Sequence, residues 1–392
     1  MSRAEVTPFR SQLPVKLAFG DGVIGDLAEI LAGTGATSAL VVVEAPVAGH
    51  PAVVAALAAA EGRGVKLERV VKDSGEPTFA LADDLVGRIR DAGHGAVVGI
   101  GGGSALDVSK AARTAVDWGG SARDLADGRL EPRTCPTALV LCPTTSGTGS
   151  EVSGAAVLTD VDEDRKIGFG NPLMRAQHAL VDPVLTHGLP PAPTAHSGVD
   201  AMAQAIAACT VGDGSPLSIA FGLEACHHIG RSLVRAVRDG ADAEARRELA
   251  CGSLTAGLAM NLSDCAADHA LGQALGSVKH LPHGLTVGLV LAETLEISRP
   301  DCAGRLERVA DALGEPAAAS GDGTRAIRAV RRILHDVAFP TMRECGVTAD
   351  DVPSLVEAAV EEQKMFFDFD CHDWSRAEVE GAFAAALAVE AR

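Results

Sequence analysis

The segment Ala96-Val97-Val98-Gly99-Ile100-Gly101-Gly102-Gly103-Ser104 runs an apolar stretch straight into three glycines, and Leu106-Asp107-Val108-Ser109-Lys110 beyond it reads as the first turn of a helix. Glycines let a backbone approach a ligand closely, and the N–H groups at a helix start favour a pyrophosphate. By itself the triplet also fits an ordinary strand-to-helix turn, and its spacing is not the G-x-G-x-x-G of the standard dinucleotide fold. The surroundings decide. Upstream, Ala39 to Val43, a helix-like 51–63, Leu67 to Val71 and a helix-like 79–92 alternate as the β-α-β-α units of a parallel sheet with helices on its faces. Downstream, Thr137 to Leu141 ends at Cys142-Pro143 and opens a second loop, Thr144-Thr145-Ser146-Gly147-Thr148-Gly149-Ser150-Glu151, rich in hydroxyls and flexible backbone. Two such loops at adjacent strand ends point to a ligand crevice.

A hairpin is expected over Val157 to Ile167, with turn chemistry from Asp160 to Asp164. After His187-Gly188-Leu189-Pro190-Pro191 the chain becomes rich in Ala, Leu, Glu and Arg, with apolar residues at three- and four-residue spacing. These features predict an α/β dinucleotide-binding domain with a parallel sheet over 1–188 and an all-helical metal and substrate domain over 189–392. A length of 392 residues, 47% of them hydrophobic, suits two cores. The net charge of −18 repels phosphate backbones and anionic lipid headgroups, so neither nucleic acid nor membrane is an expected partner. No apolar run reaches the roughly 20 residues that span a bilayer, and no secretory pattern opens the chain. Nine cysteines without C-x-x-C pairs suit reduced thiols, and a cytoplasmic location is expected. Tyrosine is absent, so a phenol is not the proton donor.

Asp200 and Gln204 lie four apart, on one face of a helix. His269 and His283 are fourteen apart, the second within His280-Leu281-Pro282-His283-Gly284. In one unbroken helix they would stand about 21 Å apart, too far to share an ion. Pro282 and Gly284 are expected to break the chain and let a loop carry His283 back over His269.

The glycine triplet with Ser104, Asp107 and Lys110, the Thr144 to Glu151 loop, Phe19-Gly20-Asp21-Gly22, Lys166 and Val181-Asp182-Pro183 together resemble the iron-containing alcohol dehydrogenase family, over nearly the whole chain. The resemblance implies the dehydroquinate synthase-like fold. It places Gly102, Gly103 and Ser104 at the pyrophosphate, Asp107 on the nicotinamide side, and Gly101, Thr144, Thr145, Thr148 and Lys166 around the cofactor. It also implies a divalent metal, Fe²⁺ before Zn²⁺, at Asp200, His269 and His283. Gln204 stands where the family has its first ligand His, and an amide oxygen is a weaker donor than imidazole. Where the family commonly carries a further His, four residues after His269, this chain has Gln273, which cannot relay a proton. His196 and His280 are the nearby candidates for that task.

Glu44 closes its strand where the family often has Asp. A carboxylate there accepts hydrogen bonds from a ribose 2′-OH and repels a 2′-phosphate, and no lysine or arginine follows within six positions, so NAD is favoured and NADP is the alternative. The implied reaction is hydride transfer between nicotinamide and a small alcohol or carbonyl compound, the carbonyl being polarised by the metal. Lys279 would suit an anionic carbonyl substrate of the maleylacetate, phosphono- or sulfo-aldehyde type. A metal-dependent lyase or cyclase on the same architecture is a further alternative. The aromatic stretch Phe366 to Trp374 is a candidate pocket wall. A homodimer or higher homo-oligomer is expected.

Overall fold

In the computed structural model of the chain, residues 13 and 15–390 are described, apart from 164, 213 and 318–320. They form two compact units, one of residues 15–145 and 149–187, the other of residues 188–390 joined by 13 and 146–148.

The first unit contains β1 (Lys16–Phe19), β2 (Ser38–Glu44), β3 (Lys66–Lys72), β4 (Ala96–Gly101), β5 (Ala138–Pro143), β6 (Ala155–Asp160), β7 (Arg165–Gly170) and β8 (His178–Val181). Six of them form a parallel sheet in the order β1-β8-β5-β4-β2-β3, and β6 and β7 pair as an antiparallel hairpin. The central strands read as unbroken apolar runs because both faces are covered. Leu40, Val42, Val97, Leu139 and Leu141 share one core with the helices Phe79–Ala92 and Gly103–Trp118; Val41, Val43, Val98, Ile100 and Val140 share the other with Leu27–Gly33 and Pro51–Gly62. In the hairpin turn the Asp160 carboxylate accepts the N–H groups of Asp162 and Glu163 at 3.0 and 3.1 Å; Asp164 lies outside the described residues.

Register fixes where the strands end. Glu44 pairs with Lys72, Val43 with Ile100 and Gly101 with Pro143, so β2, β3, β4 and β5 finish at one edge. The chain winds outward from β2 to β3, then crosses back to set β4 on the other side of β2. That reversal is the switch point where open α/β sheets bind ligands.

The second unit is helical, beginning with Pro191–Thr210, Pro216–Arg238 and Ala243–Met260. Ala267–Lys279 and His283–Ala312 follow, the latter containing Pro300 and a non-helical Cys302 (φ −133°). Helices starting at Thr324, Val352, Lys364 and Arg376 complete it. Among the described residues no helix is long and apolar enough to cross a membrane.

Candidate active site

The helix Gly103–Trp118 leaves β4 directly at the switch point. Its first internal bonds run from the N–H groups of Ala105 and Leu106 to Gly102 O, so those of Gly103 and Ser104 precede the hydrogen-bonded helix. Gly101 has no room for a side chain: a Cβ there would fall 2.7 Å from Ala105 Cβ and 2.9 Å from Glu44 Oε2. Glu44 does more than face solvent at a strand end. Its Oε2 accepts the Gly102 N–H at 2.8 Å, tying β2 to the glycine loop. Its Oε1 lies 3.8 Å from Lys72 Nζ, a buried ammonium that also donates to the carbonyls of Asp73 (3.0 Å) and Gly75 (2.7 Å). The six residues after Glu44 hold no lysine or arginine, but the neighbouring strand supplies a lysine. The signal was available, since Lys72 closes β3 as Glu44 closes β2.

Asp107 is built into the unit. It accepts the Ser150 hydroxyl at 2.6 Å and the Val157 N–H at 2.9 Å, and lies 3.1 Å from Lys110 Nζ. Lys110, fully buried, donates to Ser150 O, Ser153 Oγ and Ala155 O, and so pins the second loop to β6. Thr144 is buried and its N–H donates to Gly101 O at 2.9 Å. The Thr145 methyl stands 3.3 Å from where a Cβ on Gly102 would sit. Thr148 groups with the helical unit. Lys166, on β7, pairs with Glu76 at 2.9 Å. Burial pushes the Glu151 carboxyl up to about 7.

In the helical unit the separated ligand candidates converge. Asp200 and Gln204 lie on successive turns of Pro191–Thr210, His269 is in the first turn of Ala267–Lys279, and His283 is the first residue of His283–Ala312. Asp200 Oδ1 is 3.5 Å from His269 Nε2 and 3.5 Å from His283 Nε2, and one ligand atom from each residue lies within 4.8 Å of the others. Asp200 Oδ1, Gln204 Oε1 and His269 Nε2 are buried without a hydrogen-bond partner. Native interiors rarely leave such atoms unpaired, and the Asp200 oxygen beside the His269 nitrogen is a donor set that fits a divalent cation. Burial alone would raise the Asp200 carboxyl, but the His283 and His269 rings hold it below the usual carboxylate value.

The break between the two histidines differs from the expected one. His283 is not on a loop but opens a helix, and Gly284 lies inside that helix. The reversal is made by His280, which ends its helix in the left-handed region (φ 53°), and by Leu281-Pro282. Gly284 serves packing instead: a Cβ on it would fall 2.4 Å from His196 O and 3.2 Å from Asp200 Cβ. The close approach of the two helices puts His283 against Asp200.

Gln273 sits half-buried one turn after His269. The His196 ring packs edge-on against Phe339 at 5.4 Å between centroids, and burial lowers its pKa. Lys279 does not offer a free cation for an anionic substrate; both Asp351 oxygens take it, at 3.0 and 3.1 Å. From the aromatic stretch Phe366 reaches the site, 6.2 Å from the His269 ring, whereas Phe367 packs on Trp374. Sequence reasoning passed over Asp268, whose Oδ2 lies 3.0 Å from His269 Nδ1.

The family model for iron-containing alcohol dehydrogenase matches residues 14–183, and that for the C-terminal part of the Fe-containing alcohol dehydrogenase family matches residues 194–387. A choline dehydrogenase of Bacillus subtilis (strain 168) is 30% identical over 362 residues, covering 91% of this chain and 90% of its own length. Long-chain-alcohol dehydrogenase 1 of Geobacillus thermodenitrificans is 34% identical over 298 residues, 74% of each chain. The solved structure of a 1,3-propanediol oxidoreductase superposes with a TM-score of 0.91 at 26% identity, covering 97% of this chain and 100% of the other.

Proposed function

The chain belongs to the iron-containing alcohol dehydrogenase family, and on that footing we propose that it is an NAD-dependent, divalent-metal-assisted dehydrogenase of a small alcohol, acting in reverse as an aldehyde reductase. The observation that carries this reading is the meeting of Asp200, His269 and His283 from three helices, their ligand atoms within 4.8 Å of one another and Asp200 Oδ1 and His269 Nε2 buried without a hydrogen-bond partner. Two imidazoles and a carboxylate suit Fe²⁺ first and Zn²⁺ second, with Gln204 Oε1 a weak fourth donor. A divalent ion held there supplies Lewis-acid polarisation of a substrate oxygen, and a bound nicotinamide supplies hydride exchange with the adjacent carbon.

The remaining roles fall to the chain's own groups. Gly102, Gly103 and Ser104 offer backbone N–H groups to a pyrophosphate at the helix start. Glu44 holds the glycine loop through Gly102 and meets the adenosine ribose, where its charge disfavours a 2′-phosphate. Gln273 can orient a substrate hydroxyl but not take its proton, so that exchange is assigned to His196 or His280; burial delivers His196 neutral at neutral pH. With Lys279 committed to Asp351, that lysine does not supply a free cation for an anionic substrate, and an uncharged alcohol or aldehyde is the substrate proposed. The test is metal analysis of the isolated protein together with NADH and NADPH consumption over aldehydes of increasing length, betaine aldehyde included. Stoichiometric metal is expected, with both metal and turnover lost in Asp200→Ala. Full reductase activity in that variant, with no stoichiometric metal in the unmodified protein, would overturn the reading.

A further inference from the structure

The chain that lacks an imidazole at position 204 carries an unusual group one shell out. Asp268 immediately precedes His269, is 4% exposed, and places Oδ2 3.0 Å from His269 Nδ1. Among the described residues no lysine or arginine forms an ion pair with it; its ionic contact is the imidazole itself. The opposite ring nitrogen, Nε2, has no hydrogen-bond partner and looks toward Asp200 Oδ1 at 3.5 Å.

Two physical consequences follow. An Nδ1–H donated to a carboxylate fixes the tautomer whose Nε2 lone pair is free, and it makes that lone pair a stronger donor. The second concerns charge. Asp200 alone would leave a divalent cation with one uncompensated positive charge in a buried site, whereas Asp200 and Asp268 together bring two negative charges and neutralise it. Buried charges are tolerated when they are compensated in this way.

We propose that Asp268 is a positioning residue for the metal: it orients and polarises His269 and supplies the second negative charge that offsets the weak amide donor at Gln204. This rests on the metal reading given above.

The test is competition for Fe²⁺ and Zn²⁺ against a chromophoric chelator, on the full chain, comparing the unmodified protein with Asp268→Asn. The amide keeps the volume and an acceptor for Nδ1–H but removes the charge. Metal affinity is expected to fall by about ten- to a hundredfold. The melting temperature of the metal-free protein should hold or rise, because a buried charge has been removed, and NADH affinity should not change. A merely structural Asp268 gives the reverse pattern, a lower metal-free melting temperature with unchanged metal affinity, and that result overturns the proposal. Should Asp268→Asn fail to fold, long-range ¹H–¹⁵N spectra of the unmodified Zn²⁺ form decide. Ligation of His269 through Nε2 with Nδ1 protonated is expected, and ligation through Nδ1 overturns the proposal. If the unmodified protein takes up neither ion, the metal reading itself fails; if it does and Asp268→Asn binds equally well, only the role of Asp268 falls.

Discussion

Replacing Gly284 with alanine sets two effects of known sign against each other. In a helix interior alanine is favoured over glycine by about 1 kcal/mol, an upper bound for Gly284 in the first turn of its helix. At this position the new Cβ would lie 2.4 Å from His196 O and 2.9 Å from His196 C, inside the 3.0 Å that real Cβ contacts respect. The helix start must therefore retreat from the Asp200 helix by at least about 0.6 Å, the difference between 3.0 and 2.4 Å. Overpacking of this kind costs about 1–3 kcal/mol, so the clash outweighs the propensity gain and leaves a net loss of up to about 2 kcal/mol. The displaced residue adjoins His283, whose Nε2 stands 3.5 Å from Asp200 Oδ1. Metal sites tolerate about 0.2 Å of error in ligand distance, so the shift is several times the tolerance. Metal affinity should drop at least about tenfold, read by chelator competition, with NADH binding retained. Gly304 provides the control. It lies beyond the Cys302 kink, where a Cβ would meet nothing within 4 Å, so Gly304→Ala should not destabilise and should leave the metal untouched. If Gly284→Ala keeps wild-type metal affinity and melts no lower than the parent, the close-approach argument is wrong.

Gln204→His should tighten metal binding by about tenfold, measured by resistance to chelation, because imidazole replaces an unpartnered amide oxygen in the same buried place. The unmodified enzyme should show a higher kcat/KM with NADH than with NADPH. Glu44→Ala should narrow that gap and raise KM for both cofactors, since it removes both the charge and the acceptor for Gly102 N–H; equal use of the two by the parent refutes the assignment. His372 lies between Asp301 (2.7 Å) and Glu378 (3.0 Å); burial alone would lower its pKa, but the two carboxylates outweigh it and raise it. Its pairing therefore stabilises fully below the unfolded-state value of about 6.5 and fades as pH rises through the raised folded-state value. The melting-temperature difference between the parent and His372→Ala should be larger near about pH 6 than near about pH 9; a gap that widens with pH contradicts the sign.

The sequence by itself determined the local elements. β2, β4 and β5 announced themselves as unbroken apolar runs because both sheet faces are buried, and each lies within a residue or two of the boundaries read from Ala39, Ala96 and Thr137. The change of character near Pro190 and the one-turn spacing of Asp200 and Gln204 are likewise local matters of period and punctuation. What only the tertiary structure decided lies in contacts between segments distant along the chain. The spacing of His269 and His283 required a reversal, but not that left-handed His280 would make it while Gly284 let two helices close; the first depends on one backbone torsion, the second on the neighbour's carbonyl. Lys72 reaches Glu44 because parallel register aligns the ends of β2 and β3, whereas the six positions after Glu44 hold no lysine or arginine. Lys279 looked available until Asp351, far along the chain, claimed it. Asp268 could be read as one more helix-start acid, since its bond to His269 depends on side-chain direction and burial rather than on spacing.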